Sequence, residues 1–167
     1  MIYLDTSFLT PLFREEATSS KVAAFLARQS VGTMAVSKWA SVEFASFASR
    51  DACNGASLGA RMVAARDARN GTSRDARNGA LTVAQARKLI AEFDAMVADA
   101  LLVLTPTAND FTLAQQYVAN FSTKLRAPDA LHLAVAHNNG AEFVATLDEG
   151  MLFAAKKLKV AARRVIR

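Results

Sequence analysis

Four acidic side chains occupy positions where the sequence predicts the end of a strand or the first turns of a helix. They are Asp5, Glu43, Asp129 and Asp148. In an open sheet of parallel strands flanked by helices, these places lie on one rim, at the carboxyl ends of the strands. Four carboxylates gathered there repel one another unless a cation or shared protons neutralise them. Their hard oxygen atoms suit Mg²⁺ or Mn²⁺, and such an ion can activate water and orient a phosphodiester.

Each acid also has an ordinary structural explanation when it is considered alone. Asp129 would be stabilised by the dipole at a helix N-terminus, Asp5 could cap a helix, and Asp148 could be a turn residue. Glu43 could lie on the exposed side of its helix, although its neighbours on that helix are apolar. Because a carboxylate amid apolar neighbours needs a partner, the set of four is a stronger signal than any one member.

A parallel α/β sheet is the fold class predicted to position these acids. Short apolar runs at residues 2–4, 33–36, 101–104 and 143–146 predict four strands, and residues 160–162 suggest a fifth. Helical patterns separate these runs along the chain. The alternation predicts a Rossmann-like sheet of four to five parallel strands, flanked by helices on both faces.

Capping residues mark where several helices are expected to begin. The helix that carries Glu43 is predicted to follow Ser37, and another helix is predicted to open at Thr82. Pro128 suits the first turn of the helix that holds Asp129, which is apolar on nearly all sides and should therefore be buried. Helical patterns are also present at residues 22–26, 107–119 and 151–155.

The composition is that of a folded globule. The chain has 167 residues, of which 52% are hydrophobic and 21% are charged, as expected for a single domain spanning residues 1–167. No apolar run approaches the ~18–20 residues needed to cross a bilayer, and the N-terminus lacks the basic start of a signal peptide. The single Cys53 cannot form an internal disulfide. We therefore expect a cytoplasmic protein with no membrane partner.

Charge is unevenly distributed along the chain, whose formal net charge is +5. Basic side chains are in excess in residues 50–79 and 151–167, whereas residues 80–150 are acidic. A basic surface favours a polyanionic partner, and a solubilising surface is the alternative. Two basic runs near the C-terminus can guide a polyanion toward the acidic rim or form a solvated terminus: Lys156-Lys157-Lys159 and Arg163-Arg164-Arg167.

Residues 50–79 interrupt the alternating pattern with three near-copies of one hexamer. The copies cover residues 50–55, 66–71 and 74–79, and each ends in Asn-Gly, a pair suited to a turn or a helix C-cap. We predict that the first copy ends the helix bearing Glu43 and that the later copies are an insertion at its solvent-facing tip. An Arg-rich arm that touches nucleic acid is the alternative.

Four segments, in order along the chain, carry a family resemblance. They are Met1-Ile2-Tyr3-Leu4-Asp5-Thr6-Ser7, Ser41-Val42-Glu43-Phe44, Leu125-Arg126-Ala127-Pro128-Asp129-Ala130-Leu131-His132-Leu133-Ala134 and Ala145-Thr146-Leu147-Asp148. Together they resemble the motifs of PIN-domain ribonucleases, and specifically those of the VapC toxins of bacterial toxin–antitoxin modules. The resemblance covers residues 1–49 and 80–167. It departs from the family at residues 50–79, where the connection is longer than usual.

The resemblance implies a metal-dependent endoribonuclease toxin of a type II toxin–antitoxin system. Asp5, Glu43, Asp129 and Asp148 would hold Mg²⁺ or Mn²⁺, and cleavage of tRNA or rRNA would leave 5′-phosphate and 3′-hydroxyl ends. The implied partners are the RNA substrate, a cognate VapB-like antitoxin and a second copy of the chain in a homodimer.

Supporting roles follow from the same resemblance. Thr6 or Ser7, together with Thr146, would orient carboxylates or water through hydroxyl hydrogen bonds. Arg126 would contact phosphate, with pairing to a surface acid as the alternative. His132 is expected to be a satisfied core residue rather than a general base.

Other functions remain open at the level of the sequence. A PIN-type RNA-processing nuclease without an antitoxin would use the same acids. A catalytically silent RNA- or partner-binding domain is disfavoured because all four acids are present. An aspartyl-phosphate enzyme with Asp5 as nucleophile is disfavoured too, because such enzymes usually have a second aspartate where this chain has Ser7.

Overall fold

Five parallel strands form one sheet in the computed structural model, which describes residues 1–66 and 81–166. The strands are β1 (Ile2–Leu4), β2 (Met34–Ser37), β3 (Leu102–Leu104), β4 (Phe143–Ala145) and β5 (Ala162–Arg163). They lie in the order β3-β2-β1-β4-β5, and every neighbouring pair is parallel. The predicted parallel sheet is confirmed, and its strand limits fall within two residues of the predicted ones.

Seven α-helices flank the sheet within the described residues. They are α1 (Thr6–Leu9), α2 (Ser19–Leu26), α3 (Lys38–Arg66), α4 (Val83–Ala100), α5 (Ala108–Ala119), α6 (Ala127–Asn138) and α7 (Glu149–Leu158), and a 3₁₀ turn at Thr10–Leu12 follows α1. Thr82 begins α4 with a reciprocal capping box to Gln85, as its position in the sequence predicted. Pro128 lies in the first turn of α6, whose residues 130–136 are buried. Both of these predictions are confirmed.

The strand order places a topological switch point at the centre of the sheet. From β1 the chain proceeds to β2 and then β3 on one side, after which β4 pairs with the opposite edge of β1. In open α/β sheets, the crevice beyond the carboxyl ends of the strands at such a point is where ligands bind. The residues that directly follow β1 and β4 therefore lie at the crevice where this fold binds ligands.

The two faces of the sheet are packed against different helices. Neighbouring residues of a strand point to opposite faces, so Tyr3 and Val144 join one buried cluster while Leu4 and Ala145 join the other. The first cluster is completed mainly by α5, α6 and α7, and the second by α1, α2, α3 and α4. Because both faces of the central strands are buried, the sheet is a rigid support for the residues at its rim.

Helix α3 corrects one prediction. The first hexamer copy, residues 50–55, does not end the helix that carries Glu43, because α3 continues to Arg66. An Asn-Gly pair within a helix costs only about 1–2 kcal/mol, and residues 56–65 contain four alanines, a leucine and a methionine, all strong helix formers. The second copy begins at the last residue of α3, and the rest of it and the third copy lie outside the described residues.

Among the helices of the described residues, none is both long enough and apolar enough to cross a membrane.

Candidate active site

Asp5 occupies the centre of the rim, directly after β1. Its side chain is only 5% exposed, and its backbone N–H donates to the carbonyl oxygen of Ala145 at the end of β4 (3.1 Å). Two hydroxyl groups donate to Asp5 Oδ2: Thr146 Oγ1 at 2.8 Å, and Ser7 Oγ. Because these hydroxyls come from the two strand ends that flank the switch point, they fix the carboxylate of Asp5 in the crevice.

Glu43 reaches the same crevice from α3. Its Oε2 atom accepts a hydrogen bond from Thr6 Oγ1 (2.7 Å) and contacts His132 Nε2. The apolar neighbours of Glu43 lie on α3 itself. The partner of its carboxylate is His132, which comes from α6. Burial alone would raise the pKa of Glu43, but the bond to His132, the charge of His132 and the bond from Thr6 act together against burial and hold that pKa below its usual value.

His132 links the acids to the core. Its side chain is 1% exposed, and its Nδ1 atom lies 2.7 Å from the hydroxyl of Tyr3, which in turn donates to Ser37 Oγ at 2.8 Å. Burial disfavours the charged imidazole, but the contact with Glu43 and the nearby charge of Asp5 raise the pKa of His132 above its usual value. The histidine is thus a buried partner of two carboxylates.

Asp129 and Asp148 form the outer part of the site. Asp129 lies in the first turn of α6, as predicted, and its Oδ2 accepts from Arg126 Nε at 3.0 Å. Asp148 is the N-cap of α7: its Oδ1 accepts from the N–H of Met151 (2.9 Å), while Oδ2 lies 3.4 Å from a terminal nitrogen of Arg126. Asp148 therefore has both the ordinary capping role and a position in the acidic rim.

The four acids, His132 and Arg126 form one electrostatic group. Ligand atoms of Asp5, Glu43 and His132 all lie within 4.8 Å of one another. Burial raises the pKa of Asp129, and the negative charges of Asp148 and Asp5 raise it further against the opposing effect of Arg126. The structure thus brings the four predicted acids to one rim, in an inner group around His132 and an outer pair around Arg126.

The donor set fits a divalent cation. Within residues 1–54 and 81–166, the ion pairs of the four carboxylates involve two basic side chains, Arg126 and His132. Carboxylate oxygens are the ligands that Mg²⁺ and Mn²⁺ prefer, and carboxylates gathered at one place are stabilised by an added positive charge.

His132 and Tyr3 are site neighbours that the sequence reasoning did not place there. His132 is buried and hydrogen-bonded, as expected of a satisfied core residue, yet its partners are the site acids. One signal was available, because residues 129 and 132 are three positions apart on one helix and therefore share a face. No such spacing links Tyr3 to the site acids, because it belongs to a short apolar run that predicts only a buried strand.

A groove of about 200 Å³ opens beside Glu43. It is lined by Trp39, Val42, Glu43, Ser46, Arg50 and Pro128. Trp39 and Pro128 also line a larger apolar groove of about 610 Å³ between α3, α5 and α6. The carboxylate of Glu43 is therefore accessible from the surface, with 22% of its side chain exposed.

A family model described as PIN domain matches residues 2–157. The chain belongs to the PIN domain family. The predicted recognition of a PIN domain is thus confirmed over nearly the whole chain. No curated protein matches the sequence.

Solved structures with the same fold include toxins and toxin complexes. The VapC20 toxin of Mycobacterium tuberculosis, described as cleaving the sarcin–ricin loop, is 17% identical, with a TM-score of 0.62 over 92% of this chain and 95% of that one. FitAcB from Neisseria gonorrhoeae is 17% identical, with a TM-score of 0.63 over 97% and 96%. VapBC2 from Rickettsia felis, bound to promoter DNA, is 14% identical, with a TM-score of 0.55 over 98% of each chain. At these identities the likeness concerns the fold of this PIN domain.

Proposed function

We propose that this PIN domain is a divalent-metal-dependent endoribonuclease of the VapC type, the toxin of a type II toxin–antitoxin pair. The observation that carries the proposal is the convergence of Asp5, Glu43, Asp129 and Asp148 on the crevice at the sheet's switch point. Family membership and the VapC20 and VapBC2 structures of the same fold support it.

In this mechanism the four carboxylates would hold Mg²⁺ or Mn²⁺. When bound, the ion would act as a Lewis acid that activates water and stabilises negative charge on the leaving-group oxygen of an RNA phosphodiester. Cleavage would leave 5′-phosphate and 3′-hydroxyl ends, and the substrate would be a tRNA or an rRNA.

The chain's own contribution is to hold the carboxylates in position. Ser7 and Thr146 fix the carboxylate of Asp5 through hydroxyl hydrogen bonds, and Thr6 fixes that of Glu43. The Nε2 atom of His132 contacts Oε2 of Glu43 and lies 3.6 Å from Oδ1 of Asp5, so the ring links the two inner carboxylates. These contacts reduce the freedom of the donor atoms before metal or RNA arrives, which lowers the cost of assembling the reactive geometry.

The direct test is RNA cleavage by purified protein with Mg²⁺ or Mn²⁺ against a panel of tRNAs and rRNA fragments. Asp5→Asn and Asp129→Asn should each lower the cleavage rate by at least about a thousandfold, as expected for the loss of a charged group that stabilises the transition state. Asp94→Asn, an exposed aspartate on α4, is the matched control and should cleave like the wild type. Undiminished cleavage in excess EDTA would contradict the mechanism.

The toxin assignment is tested separately from the chemistry. Expression of the wild-type chain in bacteria should arrest growth, and co-expression of a small protein encoded beside it should restore growth. The complexes of VapBC2 and FitAcB with this fold favour such an antitoxin, and we propose a homodimer acting in the cytoplasm. RNA cleavage without growth arrest would favour the alternative, an RNA-processing nuclease that has no antitoxin. Absence of cleavage with intact folding would favour a silent binding domain.

A further inference from the structure

Arg126 bridges the two outer acids of the site. It is the N-cap residue of α6, and its guanidinium group donates to Oδ2 of Asp129 (3.0 Å) and of Asp148 (3.4 Å). The two acids come from different elements, α6 and the start of α7. The arginine side chain is 73% exposed, whereas the side chains of Asp129 and Asp148 are 15% and 30% exposed. The guanidinium therefore lies on the solvent side of the carboxylates.

Arg126 contacts one oxygen of each outer acid that a metal ion could use. Asp148 Oδ1 accepts the N–H of Met151 at the start of α7, so Oδ2 is the atom left for a cation, and it faces Arg126. The same guanidinium is bound to Asp129 Oδ2. A divalent ion that takes Oδ2 of Asp148 must therefore share that oxygen with the arginine or displace it, and an ion that also binds Asp129 does so next to the same guanidinium.

We propose that Arg126 is an internal counter-cation that competes with the divalent ion for Asp129 and Asp148. This role rests on the proposed function only in requiring a divalent ion at the acidic rim. In the metal-free chain Arg126 neutralises the outer acids and holds α6 and α7 together at the rim. Metal binding releases the guanidinium, which stays tethered beside the crevice and is then free to meet an RNA phosphate.

The exposure of Arg126 makes such an exchange feasible. An ion pair between exposed groups contributes little to stability because water and salt screen it. A divalent ion carries twice the charge and approaches carboxylate oxygens more closely than a guanidinium does. Displacement therefore breaks a weak contact and forms a stronger one, and the remaining effect of Arg126 is to reduce the apparent metal affinity.

The experiment is a Mn²⁺ titration of purified protein without RNA, followed by the electron paramagnetic resonance signal of free Mn²⁺. Arg126→Gln should bind Mn²⁺ about tenfold more tightly than the wild type, since it removes both a competitor and a repelling charge. Arg126→Lys should fall between the two, because an ammonium group keeps the charge but cannot bridge two carboxylates as a fork. Arg14→Gln is the matched control: it removes an arginine–aspartate pair to Asp51 (3.5 Å), two helical turns from Glu43, and should bind Mn²⁺ like the wild type.

Unchanged or weaker Mn²⁺ binding by Arg126→Gln would overturn the proposal. If Arg126 only held the structure together, Arg126→Gln would bind Mn²⁺ more weakly, because the carboxylates at the rim would move apart. Should Arg126→Gln fail to fold, the lysine variant decides, and an affinity equal to that of the wild type would count against competition. RNA cleavage is measured in parallel. If Arg126→Gln binds Mn²⁺ more tightly but the wild type does not cleave RNA, the proposed nuclease function is contradicted and the competition is supported. If the wild type cleaves RNA but Arg126→Gln does not bind Mn²⁺ more tightly, the competition is contradicted and the nuclease function is supported.

Discussion

At the scale of residues, the candidate site is held by hydrogen bonds that reach from the rim into the core. Tyr3 is fully buried, and its hydroxyl joins Ser37 to His132, which in turn contacts Glu43. Buried polar groups of this kind are costly when a partner is lost, because no water replaces it. The position of the Glu43 carboxylate therefore depends, through His132, on the fully buried Tyr3.

Replacement of Tyr3 by Phe tests this dependence. Tyr3→Phe leaves His132 Nδ1 and Ser37 Oγ without the hydroxyl, and should lower the free energy of unfolding by about 1–3 kcal/mol. Tyr117→Phe is the control, since Tyr117 is also buried in a core cluster but its hydroxyl has no hydrogen-bond partner within residues 1–54 and 81–166. Urea unfolding at neutral pH measures both. Equal effects of the two variants would contradict a special role for the Tyr3 hydroxyl.

Which residues approach the site was only partly predictable from sequence. The four acids were found because they follow strands or open helices, and the ends of parallel strands meet at one edge. Arg126 was expected to contact phosphate or to pair with a surface acid, and it pairs with two of the site acids. The inward path through His132 and Tyr3 was not predicted, because it depends on how closely β1 and α6 approach, which no local pattern encodes.

At the scale of elements, α6 positions more of the site than any other helix, since it carries Asp129 and His132 and begins at Arg126. Its far end is tied to α5. Asp110, in the first turn of α5 and 1% exposed, accepts hydrogen bonds from the N–H and the hydroxyl of Thr107 and from the side-chain amide of Asn138. The carboxylate thus caps one helix and anchors the end of the next.

Asp110→Ala should lower the free energy of unfolding by about 2–3 kcal/mol at neutral pH, because it removes a helix cap and leaves Asn138 without its partner. The difference should depend on pH. Burial alone would raise the pKa of Asp110, but the bonds from Thr107 and Asn138 hold it below the ordinary value of 3.8. A lowered pKa gives stability that is present above the ordinary value and is lost as the pH falls through the folded-state value.

Urea unfolding of the wild type and Asp110→Ala between pH 7 and pH 3 checks this expectation. The difference in the free energy of unfolding between the two proteins should be constant near pH 7 and should become smaller toward pH 3. Asp94→Ala, which removes an exposed aspartate from α4, should show no such narrowing. A gap that widens with acidity would mean that Asp110 is stabilised in its protonated form.

Helix α3 shows the limit of local turn signals. The Asn-Gly pair at residues 54–55 predicted a helix end, but the helix continues. The described contacts between α3 and α4 include a small cluster of Ala48, Ala52 and Ala86, to which Leu81 adds. These residues lie outside the segment 56–79, so this contact between α3 and α4 is made by residues that flank the segment.

Deletion of residues 56–79, replaced by an eight-residue Gly-Ser linker, should therefore leave a folded protein with unchanged RNA cleavage, because a shorter connection closes at modest entropic cost. Ala52→Arg, which places a charge in the α3–α4 cluster, should destabilise the protein by contrast. Thermal unfolding and the cleavage assay measure both variants. Loss of soluble protein after the deletion would show that the segment belongs to the core.

At the scale of the whole molecule, the sheet order could be expected only in outline. The alternation of apolar runs and helical patterns predicted a parallel sheet covered on both faces, and the structure confirms it. The central place of β1 in the order β3-β2-β1-β4-β5 depends on its pairing with β4, which joins residues more than a hundred positions apart, such as Leu4 with Ala145. That pairing of β1 with β4 is what brings Asp5 and Asp148 to the same rim of the sheet.

A group of lysines lies at the end of α7, on one face of the sheet. Lys156, Lys157 and Lys159 are exposed at the end of α7, which packs on the face opposite to α4. Since Asp148 at the rim is the N-cap of α7, these lysines lie at the far end of the helix that starts at the acidic rim. An RNA backbone bound at the rim can follow this helix, and each phosphate that a lysine neutralises releases a counterion.

The dependence of cleavage on salt then reports the path of the RNA. For the wild type, the logarithm of kcat/KM should fall linearly with the logarithm of the salt concentration. The double variant Lys156→Gln/Lys157→Gln should have a slope shallower by about 1–1.5, as expected for two lost phosphate contacts to a single strand. Arg87→Gln/Lys88→Gln, which removes two exposed charges from α4 on the other face, should keep the wild-type slope. Equal slopes in all three proteins would place the RNA away from α7, and a change confined to the α4 variant would route it across the opposite face.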